Sequence, residues 1–350
     1  MAPDIAQIDV IAPNLKRRLS GVTATIVRLV PLQATMIGIA ATGPGLPAHV
    51  PHLPLWRCFF LPRDRRRVWH ARRNTEMLLG LILRTVFRRR LALLFTSASQ
   101  RPHTGYTRWL IGRMDGLVAT SRKTATYLER DPVVILHGID SEGFSPPADR
   151  AALRRRLGLP ETHAILGCFG RIRAQKGTDA FVEAALALLP DRPEATALVM
   201  GRSTEGHDGF LAGLKEKVRA AGLADRIRFL PEVPVHEIAD WYRALDLYVA
   251  PQRWEGFGLT PIEAMACGVP VVATRVGAFE EIVTGDTGTL VPPGDIRALA
   301  DAIAPWLDEP ERRRVAGAAA LARVRSAFRI EDEAEALVAV YRRLLAGERW

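Results

Sequence analysis

The segment Pro251–Ala273, PQRWEGFGLTPIEAMACGVPVVA, decides how this chain reads. One apolar run of strand length, Leu247–Ala250, leads into it and another, Val269–Ala273, closes it, with a helical pattern between them. The loop after the first run carries Glu255, Gly256 and Gly258. The helix is expected to start near Thr260 with Pro261 at its first position, where proline is well tolerated. Glycines there let the N–H groups of Phe257, Gly258 and Leu259 approach an anion at the helix N-terminus. Strand, glycine-bearing loop and helix in that order form a phosphate-binding layout on an α/β sheet.

The same rhythm extends outward. Apolar runs at Ala164–Phe169, Thr196–Met200 and Ile227–Leu230 also have strand length, and helical patterns separate most of them, which predicts βαβ units and a parallel sheet. The first half is less regular. Strands are expected at Ile8–Ala12, Thr35–Ala40, Arg67–Ala71, Leu91–Thr96, Gly116–Ala119 and Val133–Leu136, with helices at Thr23–Leu32 and Met77–Arg90. A chain of 350 residues exceeds what one hydrophobic core organises, so two open α/β domains are the simplest account. Asp140–Asp149, DSEGFSPPAD, gathers Pro, Gly, Ser and acidic residues and places the linker there, giving domains at residues 1–145 and 146–330. Ligands of such sheets bind beyond the carboxyl ends of the strands, and a cleft between domains is the default site.

Two carboxylates stand out in the opening segment. Thr260-Pro261-Ile262-Glu263 is a capping box, in which Glu263 would accept the N–H of Thr260. Capping gives no reason for Glu255, eight residues upstream on the glycine loop. Together the two can accept hydrogen bonds from sugar hydroxyls, charge-assisted bonds roughly twice as strong as neutral ones. EGFGLTPIEAMACGVPVVAT, Glu255–Thr274, resembles the signature of the retaining glycosyltransferases of family 4, whose E-x7-E element runs here from Glu255 to Glu263. The resemblance implies the GT-B fold, two Rossmann-like domains facing each other across a cleft. It gives Glu255 the transferred sugar and Glu263 the nucleotide ribose, and implies a helix over residues 331–350 that returns to the first domain.

A second match is Phe169–Gly177, FGRIRAQKG, on the loop leaving an expected strand. Arg171 and Lys176 there can neutralise a diphosphate leaving group, the main electrostatic demand of glycosyl transfer; the plain alternative is two solvated cations. The family resemblance assigns both to the donor pyrophosphate. No two aspartates are two positions apart, so the DxD element that holds a divalent ion in the other major glycosyltransferase fold is missing. HEIAD, His236–Asp240, has Asp240 where a zincin helix needs its second histidine. Neither a catalytic metal nor a cofactor is expected.

In the first half, Lys16–Val22, KRRLSGV, leads from strand to helix, and the N–H groups of Gly21 and Val22 are expected to be able to touch the donor phosphate or the acceptor. The family commonly has Gly-Gly at this point, from which Gly-Val departs. Gly43-Pro44-Gly45 reads as an ordinary turn. Val68–Asn74, VWHARRN, sets His70 at a strand end. A lone histidine is more often structural; the resemblance puts at this place one that approaches the transferred sugar. Arg72 and Arg73 carry guanidinium forks that fit the carboxylate or phosphate of an acidic acceptor.

The net charge of +10 is unevenly placed. Residues 1–148 hold 21 Lys+Arg and 9 Asp+Glu, or +12, leaving 27 and 29, or −2, for the remainder. The basic half reads either as a solvated arginine-rich surface or as a face for anionic partners. Met77–Phe95, MLLGLILRTVFRRRLALLF, is either an interfacial helix or a core helix running through arginines into a buried strand. Trp56, Phe59 and Phe60, with Arg57 and the Arg63–Arg67 cluster, form a second segment able to dock on anionic lipid. Nucleic acid is not expected, since no helix-turn-helix, RNP or zinc-finger pattern occurs. Cys58, Cys168 and Cys267 are widely spaced, and no secretory signal begins the sequence, so a reducing cytosol is expected.

IDVIAPNLKRRLSGVTATI, VWHARRNTEMLLG and LLFTSASQRPHTGYTRWLIGRMDGLVATS are similar to the lipopolysaccharide-core mannosyltransferases of alpha-proteobacteria. That resemblance implies a GDP-mannose donor and an inner-core Kdo acceptor on a lipid-linked precursor, met at the cytoplasmic membrane face. The alternatives are a UDP-sugar (glucose, galactose or GlcNAc) on another lipid-linked acceptor, a GT-B sugar-nucleotide epimerase that needs no acceptor, and a catalytically silent binder of anionic surfaces. Base contacts are expected from backbone in loops such as Leu230–Pro234.

Overall fold

In the computed structural model, which describes residues 4–16, 21–234 and 236–350, the chain divides into two units: Met1–Gly138 with Ile330–Trp350, and Ile139–Arg329. The first unit runs β1 (Val10–Pro13), α1 (Gly21–Gln33), β2 (Ile39–Thr42), β3 (Arg67–Ala71), α2 (Asn74–Thr85), β4 (Leu91–Ser97), α3 (Gly105–Ile111), β5 (Gly116–Ala119), α4 (Arg122–Ala125) and β6 (Val133–Val134). Its strands form one parallel sheet in the order β2-β1-β3-β4-β5-β6. Cover on both faces explains why β1, β3 and β5 are buried throughout instead of alternating. One face packs Ile26, Leu29 and Val30 of α1 with Leu337, Tyr341 and Leu344 of a closing helix, Ile330–Leu345. The other packs Met77, Leu81 and Leu83 of α2 with Leu110 of α3.

The first crossing between units lies after Gly138, not after residue 145. Ile139 already belongs to the second unit, where its N–H donates to Phe328 O at 2.8 Å and it bridges to Arg329. On the other side of both crossings sits Glu333 of the closing helix, buried, accepting from Gly138 N at 2.8 Å and contacting His137 Nδ1 at 2.6 Å.

The second unit runs α5 (Arg150–Arg156), β7 (Ala164–Phe169), α6 (Thr178–Leu188), β8 (Ala195–Met200), α7 (Asp208–Ala220), β9 (Ile227–Leu230), α8 (Ile238–Arg243), β10 (Leu247–Ala250), α9 (Thr260–Ala266), β11 (Val271–Thr274), α10 (Phe279–Ile282), β12 (Gly288–Val291), α11 (Ile296–Asp308) and α12 (Pro310–Ala327). All its strands are parallel, in the order β12-β11-β10-β7-β8-β9. Counted from β7, this is the Rossmann order, with the reversal between β7 and β10.

Two expected elements move. The strand expected at Thr35–Ala40 is Ile39–Thr42, because α1 runs through Gln33 and Ala34–Ile37 turn back on Val30, Leu32 and Gln33. The helix expected to Arg90 stops at Thr85; Arg88 takes φ +50°, and Arg89 Nη1 donates to Leu61 O at 2.8 Å.

Candidate active site

Where β7 and β10 lie side by side, the chain leaves toward β8 on one side and β11 on the other, so the loops after the two strands diverge and open a crevice at their carboxyl ends. The first loop is Gly170–Gly177. Gly170 (φ +135°) and Gly177 (φ +69°) turn it, and a Cβ on Gly177 would lie 1.9 Å from Pro251 O, so only glycine lets the two loops meet. The second loop is Pro251–Leu259. Arg253 clamps them: its guanidinium takes both Asp179 oxygens at 2.7 and 2.8 Å, and its N–H reaches Gln175 O at 3.0 Å.

This clamp brings Lys176 Nζ onto Glu255 Oε2, both side chains largely buried. The family resemblance assigns these residues separate duties; the structure makes them one ion pair. Gly258 (φ +87°) passes over it, and a Cβ there would stand 2.4 Å from Phe279 Cε1 and 2.9 Å from Glu255 Cγ. Arg171 is exposed and lines, with Gly170, Lys176, Thr178 and Gln252, a small cavity between the loops. Arg173 was not singled out by sequence. Burial and the charge of Arg171 pull its pKa down, while Glu255 pulls it up, so it shares the same field. Phe257 and Leu259 also belong to this second loop, and Phe257 O accepts the N–H of Ala278 at 3.2 Å.

Glu263 departs from the capping-box expectation. α9 begins at Thr260, its N-cap is Leu259, and no side chain caps it. Glu263 Oε2 instead accepts the phenol of Tyr242, on α8, at 2.7 Å. Burial, the charge of Glu263 and the neighbouring Tyr248 hold the Tyr242 phenol well above its ordinary pKa, so it stays a donor.

In the first unit the strand order reverses between β1 and β3. Gly21 and Val22 are the first residues of α1, in the turn whose N–H groups lack helical acceptors; Arg17, Arg18, Leu19 and Ser20 of the same loop lie outside the described residues. His70 is fully buried. Its Nδ1 meets Tyr341 Oη at 2.7 Å and its Nε2 meets Thr96 Oγ1 at 2.6 Å, so both ring nitrogens are engaged by hydroxyls of the protein. Arg72 and Arg73 also make contacts within the first unit. Arg73 pairs with buried Glu76 at 2.7 Å and donates to Asn14 Oδ1 at 3.0 Å and Thr23 Oγ1 at 3.3 Å. Arg72 turns back to His70 O at 3.3 Å, and its N–H donates to Glu76 Oε2 at 2.8 Å. Buried Glu76 is thus held by the Arg73 guanidinium and the Arg72 N–H, which tie the strand end together. Asn14, Thr23 and Glu76 were not singled out; a polar residue directly after a buried strand, as in Ala12-Pro13-Asn14, was the available signal.

Met77–Phe95 is the core alternative: Met77, Leu81 and Leu83 are buried in α2 and Leu91–Phe95 in β4. Trp56 and Phe60 are exposed. Among the described residues no helix is long and apolar enough to cross a membrane, and no three His, Cys, Asp or Glu side chains are grouped to hold a metal ion.

The profile of the family "Glycosyl transferases group 1" matches residues 149–323. Lipopolysaccharide core biosynthesis mannosyltransferase LpsB of Rhizobium meliloti (strain 1021) is 53% identical over 98% of this chain and 99% of its own length. The relative of that description called LpcC, from Rhizobium leguminosarum bv. viciae, is also 53% identical, over 99% of each chain. Among solved structures, Anabaena Alr3699/HepE in complex with UDP matches 95% of this chain and 99% of its own with a TM-score of 0.83 at 19% identity, a likeness of fold.

Proposed function

Because this chain belongs to the group 1 glycosyl transferases and has their GT-B fold of two Rossmann-like units, we propose that it moves mannose from GDP-mannose to an inner-core Kdo sugar of a lipopolysaccharide precursor. The observation that carries the transfer chemistry is the Lys176–Glu255 pair at the reversal of the second sheet. Lys176, Arg171 and the amides near Gly258 hold the departing diphosphate, whose charge grows as the glycosidic bond breaks. Glu255 exchanges its lysine for sugar hydroxyls, and Glu263, held by Tyr242, takes the ribose. Neutralisation by these cations makes the reaction independent of a metal, and the configuration at the anomeric carbon is retained. His70 acts as a positioning residue that fixes the end of β3.

Mannose and the lipopolysaccharide acceptor rest on the names of the two rhizobial relatives, and GDP and Kdo on the sequence resemblance. The basic first half, +12 over residues 1–148, suits an anionic acceptor at the inner face of the cytoplasmic membrane. Thermal stabilisation by GDP, UDP and ADP compared in parallel tests the donor, since a ligand at 100 times its Kd adds about 2.7 kcal/mol. GDP alone should stabilise the protein; stabilisation by UDP alone overturns the mannosyl reading.

A further inference from the structure

A cavity of about 790 Å³ opens in the first unit on the edge of the sheet opposite the strand ends that carry His70, Arg72 and Arg73. Leu91 starts β4 in its wall, and Met114 and Asp115 lead into β5. Arg66, Arg89, Arg90 and Arg113 line it, together with Arg84, Arg130 and Arg349: seven guanidinium groups against one carboxylate, Asp115. Asp115 is shared between Arg84 at 2.7 Å and Arg349 at 3.2 Å and also accepts Leu93 N at 2.8 Å, so it answers little of this charge. Arg89 Nε is shielded from water without a hydrogen-bond partner. Arginine does not shed its proton, and its planar fork matches phosphate oxygens two at a time.

Exposed apolar side chains flank, in the chain, the segments that line the cavity. Arg89 Nη1 on Leu61 O at 2.8 Å, Arg90 Nη1 on Asp64 O at 3.1 Å and Arg63 Nη2 on Phe87 O at 3.2 Å tie residues 87–90 to residues 61–64. Phe60, Val86 and Phe87, on or next to these segments, are exposed, and Trp109, also exposed, stacks under the lining residue Arg113 at 4.0 Å. Rings beside a cationic hollow fit a lipid surface, where the apolar side chains enter the interface and the phosphate meets the arginines.

We propose that this cavity seats the phosphate of an anionic membrane lipid head group and so orients the first unit on the bilayer; this rests on the membrane-face reading above. The test is co-sedimentation of the full chain with vesicles of phosphatidylglycerol in phosphatidylcholine. The triple variant R66Q/R90Q/R113Q is compared with R219Q/R297Q/R325Q, which removes the same charge from the second unit. Each arginine near the surface contributes about fivefold, so the cavity variant should bind roughly a hundredfold more weakly while the control binds like the wild type. Equal loss in both variants, or none in the cavity variant, overturns the site and leaves membrane binding standing. Wild-type protein that ignores the vesicles overturns the membrane reading as well. Inorganic phosphate that stabilises wild type against heat without any vesicle binding assigns the cavity to a soluble anion and overturns the lipid assignment. Melting temperatures of both variants near that of the wild type exclude unfolding as the cause.

Discussion

Tyr242 on α8 donates its phenol to Glu263 on α9 at 2.7 Å, so the carboxylate is aimed by a neighbouring helix and not by the cap of its own. Tyr242→Phe removes that aim with little change in volume. GDP binding should weaken about tenfold, the scale of one hydrogen bond to a charged group, while the melting temperature changes little. Calorimetric titration with GDP measures it; unchanged affinity means that Tyr242 does not position Glu263 for the nucleotide.

Lys176→Ala and Glu255→Ala should each lower kcat by at least about a hundredfold, the usual cost of one preorganised electrostatic partner. The pair is in contact, so the double variant should lose less than the product of the two. Strictly multiplicative losses in steady-state kinetics would show that the two side chains act independently.

Gly258→Ala meets both a left-handed backbone and Phe279 at 2.4 Å. Donor affinity and stability should fall together, by about 1–3 kcal/mol in chemical denaturation. A variant of unchanged stability would mean that the loop relaxes freely.

Tyr341→Phe leaves the Nδ1 of buried His70 without its partner and should cost about 1–3 kcal/mol of unfolding free energy. Urea denaturation decides it, and no loss would mean that another group fills the place.

Acid should destabilise the first unit in two stages. Burial, then the charge of Arg72, holds His70 well below the ordinary histidine range. The unfolded chain therefore takes that proton first, and stability complete above about pH 6.5 is lost as pH falls toward the folded value. For Glu333, burial raises the pKa, but the charge and hydrogen bond of His137, the Gly138 N–H and the charge of Arg28 outweigh it and leave it lowered. Its contribution is present above about pH 4.3 and is lost below. In melting curves across pH, His70→Gln should flatten the first stage and Glu333→Gln the second; profiles parallel to wild type would contradict both assignments.

Most of the second unit was legible because its strands are short apolar runs between helices: Ala164–Phe169, Ile227–Leu230 and Leu247–Ala250 are found at those bounds. β12, Gly288–Val291, was missed, since GTLV is too short and mixed to stand out from the turn before it. The two loops of the candidate site were legible as separate motifs. Their junction was not, because Lys176 and Glu255 are 79 residues apart and Tyr242 and Glu263 are 21 apart, and only the sheet order brings each pair together. His70, Arg72 and Arg73 were legible as a chemically notable group, but sequence carries no measure of burial, and burial of Glu76 is what draws the Arg73 guanidinium inward.

The closing helix supplies part of the first unit's core although it follows the whole second unit in the chain. During synthesis the second unit, contiguous from Ile139 to Arg329, can fold as soon as it leaves the ribosome, while the first keeps Ile26, Leu29 and Val30 uncovered until Leu337, Tyr341 and Leu344 emerge. Chaperone dependence and aggregation in the cell are therefore expected to concentrate in the half that is translated first and finished last.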